Sequence, residues 1–131
     1  MKGRPTHERL GFAWAGLCEA YSRESSFRAH VRTLVAAIVV LIAIRPALIW
    51  WAAIAIVAAL VLALEMLNSA LEGLIDLLHP AIHPEIKVIK DMASAAVLVA
   101  GIGAIAVAGC AVVDSWPRLV AEWHWLAGAT R

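Results

Sequence analysis

Residues 92–113 form a run of 22 positions without one Asp, Glu, Lys or Arg. As a helix, such a run crosses a hydrocarbon core of about 30 Å. A second charge-free run of 18 residues covers 47–64. In lipid a backbone must satisfy its own hydrogen bonds, so a short chain with two such runs is confined to helices. The whole sequence is 63% hydrophobic and 16% charged, well away from the roughly 45–50% and 25% of soluble domains. An all-α membrane protein follows, built as a single membrane domain over 1–131.

The apolar pattern divides the chain into pieces. Leu10, Trp14, Leu17, Cys18 and Tyr21 lie on one helical stripe within 6–24, which suits an amphipathic helix in the bilayer interface. Residues 27–44 form a first span, although its uncharged part, 33–44, is short. His30, Arg28 and Arg32 then have to reach the interface. Arg45-Pro46 marks a tight turn. The second span, 47–78, projects beyond the hydrocarbon, because about 20 residues suffice to cross it. His79-Pro80-Ala81-Ile82-His83-Pro84 breaks the helix. The third span covers 85–113, where Ala96, Ala100, Ala104 and Ala108 form a small-residue stripe. Residues 114–131, with Trp116, Trp123 and Trp125, read as a tail at the opposite interface.

Eight of the eleven Lys and Arg residues fall in the N-terminal segment and the loop near Lys87 and Lys90. The positive-inside rule puts that side in the cytoplasm. A net charge of +1 gives no basic surface for nucleic acid. Cys18 and Cys110 fall near opposite faces, so no disulfide is expected. The first apolar run begins only after Arg32, so no cleaved leader is expected either.

The stretch from Glu65 to Asp76 carries the chemistry. At 100° per residue, Glu65, Glu72 and Asp76 lie within about 40° of one another, with Asn68 about 60° to one side. Acids at a membrane are costly unless paired, ion-bound or wet. No Lys or Arg occurs between Pro46 and Lys87, so this face needs partners from elsewhere. Glu65 falls at the edge of the hydrocarbon, and Glu72 lies about 10 Å further along the axis. Lys90, Asp91 and Ser94 on the returning helix reach similar levels, and Glu24 precedes the first span.

Carboxylates facing a cation suit Mg²⁺ and a polyphosphate. A Glu near hydrocarbon suits proton uptake from an alcohol. Spacing alone leaves three readings: phosphoryl transfer, which we favour, a polar network joining helices, or an ion or proton pathway. The glycine spacing from Gly11 to Gly16 fits a P-loop, but Leu17-Cys18 replaces its Lys and Ser/Thr. His79 and His83 lack a third strong ligand and read as an ordinary polar loop.

Three motifs, in this order on a three-span chain, resemble a known family. They are Glu24-x-x-Phe27-Arg28, Glu65-x-x-Asn68-Ser69-Ala70-x-Glu72-x-x-x-Asp76, and Lys90-Asp91-Met92-Ala93-Ser94-Ala95-Ala96-Val97. The family is that of the small prokaryotic integral-membrane lipid kinases, comprising diacylglycerol kinase and undecaprenol kinase. The resemblance covers roughly residues 8–114. It implies a surface helix, three spans, a homotrimer with shared active sites, and transfer of the γ-phosphate of MgATP to a lipid hydroxyl in the bacterial inner membrane. By motif match it implies Glu65 as general base, and Glu24 and Glu72 as holders of the Mg²⁺ on the nucleotide. Lys90 and Asp91 would contact the nucleotide with His83 nearby. Asn68 and Asp76 would support the site, and Ser94 would lie towards the lipid. Phe12 stands where diacylglycerol kinases often have an aromatic hydroxyl, and Ala81 where the loop is often acidic. Residues 92–97 look more like the diacylglycerol kinases. Phe27-Arg28-Ala29-His30 and the His-Pro loop look more like the undecaprenol kinases. Diacylglycerol is the preferred substrate and undecaprenol the alternative.

Overall fold

A computed structural model describes residues 5–78 and 83–129. Among them every regular element is an α-helix: α1 (Thr6–Arg23), α2 (Ser25–Ile44), α3 (Leu48–Leu78) and α4 (Pro84–Ala129). Three of these, α2, α3 and α4, are long and apolar enough to cross a bilayer. The chain is a multi-pass membrane protein. The His-Pro break, including Ala81, falls mostly on 79–82, outside the described residues.

One residue separates α1 from α2. Glu24 leaves the helical region at φ −95°, ψ 117°. Its N–H still closes the last turn of α1 on the Ala20 carbonyl, at 2.9 Å, and its carbonyl accepts the first bond of α2 from the Arg28 N–H, at 3.2 Å. The Arg28 guanidinium then reaches back to the Tyr21 and Ser22 carbonyls at 3.0 and 2.9 Å. A cation there satisfies orphan carbonyls at the negative end of α1. Helix α1 buries none of its residues. Its stripe residues Leu10, Trp14 and Tyr21 face away from the other helices.

A similar device ends α2. Arg45 adopts the left-handed conformation, φ 46°, and its N–H caps the Leu41 carbonyl at 2.9 Å. Pro46 cannot continue the ladder. The Arg118 guanidinium binds the freed carbonyls of Ile44 and Arg45 at 2.7 and 2.6 Å. Beside it, the Trp50 indole N–H donates to Asp114 at 2.9 Å.

These contacts bear on the tail. The expected break after Val113 does not occur: α4 continues through Pro117 to Ala129. The Asp, Ser and Arg at 114–118 suggest a chain end by polarity. They are instead engaged within the fold, Asp114 with Trp50, Ser115 with the Ala111 carbonyl and Arg118 with the end of α2. At about 1.5 Å per residue α4 is roughly twice as long as the hydrocarbon core is thick.

Packing is closest between α3 and α4, which run antiparallel, with α2 laid against both. Near the α2–α3 corner, Leu41, Ile54 and Ala111 form a buried cluster flanked by Trp50, Trp51 and Val107. Ala111 is only 1% exposed, which lets the helix backbones approach closely. Large apolar side chains elsewhere stand open, Leu48 at 82% and Ile105 at 74% exposure. A chain solvated by lipid tolerates such exposure.

Candidate active site

Midway along α3 the apolar face gives way to Glu65, which is 4% exposed. A buried carboxylate is costly without partners, and α2 supplies two. The Ser26 hydroxyl donates a hydrogen bond to Glu65 Oε1. His30 Nε2 lies 3.8 Å from Oε2. Ser26 and His30 are four residues apart and so share one face of α2.

Around this carboxylate lies a pocket of about 270 Å³. Glu24 and Ser26 line it from the start of α2, Glu65, Asn68, Ser69 and Glu72 from α3, and Ser94 and Val97 from α4. The pocket therefore unites five of the nine expected site residues: Glu24, Glu65, Asn68, Glu72 and Ser94. Asn68 Nδ2 donates to Glu72 Oε1 at 3.1 Å. Asn68 Oδ1 is, among the described residues, the one buried side-chain polar atom without a hydrogen-bond partner.

The other four residues lie beyond the pocket. Lys90 Nζ binds Asp76 Oδ1 at 2.6 Å. In an antiparallel pair this is the rung next to Glu72 and Ser94, one helical turn or about 6 Å further out. Asp91, on an exposed face, pairs with Lys87. His83 Nδ1 accepts the Glu85 N–H at 3.2 Å at the mouth of α4. No Lys or Arg lines the carboxylate pocket. Lys90 stands one turn along α4 from the pocket residue Ser94.

Glu24 and Glu72 offer hard carboxylate oxygens, and the Asn68 oxygen lacks a partner. This donor set fits Mg²⁺, which takes one or two carboxylates and completes its shell with water and phosphate oxygens. Among the described residues no three His, Cys, Asp or Glu side chains converge as an all-protein cage, which Mg²⁺ held on a nucleotide does not require.

On the other side of Glu65 a cavity of about 330 Å³ runs along the spans. It begins at His30 and Thr33 and continues past Val61 and Ile54 of α3 and Gly101, Ala104 and Ala108 of α4. Part of the small-residue stripe thus leaves open space as well as close packing. Glu65 lines the polar pocket, and His30, 3.8 Å from its carboxylate, lines the near end of this cavity.

Sequence reasoning does not assign Ser26 and His30 to the site. Their signal was an i, i+4 polar pair on α2, continued at i+7 by Thr33. The reading of His30 as an interface residue hides it.

The sequence profile of the prokaryotic diacylglycerol kinases matches residues 11–112. A diacylglycerol kinase from Synechocystis is 40% identical over 100 residues, which cover 76% of this chain and 57% of that protein. The diacylglycerol kinase of Escherichia coli K12 is 34% identical over 95 residues, covering 72% of this chain and 78% of its own. The match thus spans little more than half the length of the Synechocystis relative. No solved structure matches the chain.

Proposed function

Because the chain belongs to the prokaryotic diacylglycerol kinase family, we propose that it phosphorylates the free hydroxyl of diacylglycerol with MgATP, yielding phosphatidic acid and ADP. The observation that carries this reading is the convergence of Glu24, Glu65 and Glu72 with Ser94 on one pocket beside an apolar cavity. A lipid alcohol arriving along the spans meets Glu65 first. A polyphosphate arriving from water meets Glu72 and Lys90.

In this reading Glu65 accepts the hydroxyl proton as the lipid oxygen attacks the γ-phosphorus. The new O–P bond forms in line with the breaking bond to the bridging oxygen, and ADP leaves with that electron pair. Solvent later removes the proton from Glu65. No phospho-enzyme is formed. Glu24 and Glu72 would hold the metal, and Mg²⁺ supplies charge neutralisation for the phosphates. Lys90 contributes positive charge at the nucleotide, with Asp91 and His83 near the same mouth. Asn68 holds Glu72, Asp76 holds Lys90, and Ser94 faces the lipid head.

The remaining features complete the proposal. Helix α1 lies in the interface, its exposed apolar stripe in the headgroup layer. The amino terminus and the site face the cytoplasm of a bacterial inner membrane. Three copies would assemble, as the family resemblance implies, with sites shared between neighbours.

The test is transfer of radioactive γ-phosphate to lipid by purified protein in mixed micelles, with diacylglycerol and undecaprenol offered side by side. Labelled phosphatidic acid is the expected product, and Glu65→Gln should remove it while the oligomer persists. Label on undecaprenol alone moves the substrate to the alternative within the family. Label on neither lipid removes the kinase reading and leaves a polar network or ion pathway.

A further inference from the structure

We propose that Ser26 and His30 are positioning residues for Glu65, gripping its carboxylate from α2 so that it stays aimed at the junction of the polar pocket and the apolar cavity. The inference rests on Glu65 being the base.

Three observations support it. First, each Glu65 oxygen has an α2 side chain beside it: the Ser26 hydroxyl donates to Oε1, and His30 Nε2 stands 3.8 Å from Oε2, at ion-pair rather than hydrogen-bond distance. Second, these partners come from a different helix, so the carboxylate is fixed across the α2–α3 interface and not by its own backbone. A free Glu side chain has considerable rotamer freedom to lose, and its neighbours in the pocket include two further acids, Glu24 and Glu72. Left alone, such a group has no reason to keep one orientation. Third, the two partners divide the surroundings. Ser26 lines the polar pocket and His30 the mouth of the apolar cavity. The base is thereby held at the boundary that a lipid hydroxyl has to reach.

Misplacing a reacting group by about 1 Å costs on the order of 100-fold in rate. Loss of one grip should therefore appear in kcat, while nucleotide binding at the Glu72 and Lys90 levels is spared. A merely structural role predicts a different pattern, in which stability and both kinetic constants deteriorate together.

Steady-state kinetics of Ser26→Ala, His30→Leu and His30→Gln, beside Glu65→Gln, test the proposal in the same micelles. The expected result for His30→Leu is a fall in kcat of about 10- to 100-fold, with KM for ATP within about twofold. His30→Gln keeps an N–H donor and should restore kcat to within about fivefold of wild type. Ser26→Ala should lower kcat several-fold. It removes one hydroxyl from an exposed position, so it decides the matter if His30→Leu fails to assemble. Wild-type kcat in Ser26→Ala and His30→Leu, with Glu65→Gln inactive, overturns the positioning role and leaves the base. Full turnover in Glu65→Gln overturns the base itself. Failure of His30→Gln to rescue, with KM and stability lost alongside kcat, also overturns the proposal.

Discussion

Replacing Lys90 with Met separates a structural cation from a nucleotide-binding one. In the structure its ammonium pairs with Asp76 at 2.6 Å, and the two side chains are 31% and 67% exposed. An ion pair this wet contributes no more than about 1 kcal/mol to stability. Its loss should therefore lower the midpoint of thermal unfolding by about 5 °C at most. The ammonium has three donors, and Asp76 takes one. If one of the others meets a phosphate, that charge-assisted bond contributes about 1.5–3 kcal/mol, so kcat/KM for ATP should fall by roughly 10- to 150-fold. The kinetic effect thus exceeds the stability effect by a margin that an assay resolves. The measurement is an ATP titration of Lys90→Met at saturating short-chain diacylglycerol, paired with a melting curve in the same detergent. Unchanged ATP kinetics, with only a lowered melting point, would refute the assignment and reduce Lys90 to a helix-pairing residue. Asp76→Asn provides the companion measurement. It frees the ammonium without removing it, and should cost ATP affinity far less than Lys90→Met does.

Other outcomes follow from the same geometry. Glu72→Gln should raise the Mg²⁺ concentration needed for half-maximal activity by about tenfold, since one hard ligand is lost; superimposable Mg²⁺ titrations would exclude Glu72 from the metal. Arg118→Ala removes both guanidinium bonds to the Ile44 and Arg45 carbonyls and, being exposed, should cost about 1 kcal/mol of stability with kcat intact. Unchanged melting would show that the corner holds without it. Purified protein in mild detergent should have a protein mass about three times that of one chain, by sedimentation with the detergent contribution matched out. An active monomer would contradict shared sites.

The periodicity of one helix makes a face legible, and that is why Glu65, Asn68 and Glu72 could be grouped from the sequence. The same arithmetic fails across helices. It puts Lys90, Asp91 and Ser94 at similar levels without their partners, whereas the structure sets Asp76 of α3 against Lys90 and leaves Asp91 to Lys87. It treats His30 as a residue to be lifted out of the hydrocarbon, because a lone polar group on an apolar stripe shows nothing of what stands opposite. Polarity misled again at 114–118. Asp114, Ser115 and Arg118 look like the water-facing end of a span, yet they bind Trp50, the Ala111 carbonyl and the end of α2. Proline, too, is a weaker punctuation mark than it looks: Pro46 accompanies a reversal of the chain, whereas Pro117 lies inside a continuous helix.

The single extended residue between α1 and α2 has a mechanical meaning. Glu24 is at once the sole joint between α1 and α2 and a wall of the carboxylate pocket. If α1 lies on the headgroups as proposed, its tilt would be taken up in the torsions of the very residue proposed to hold the nucleotide's metal.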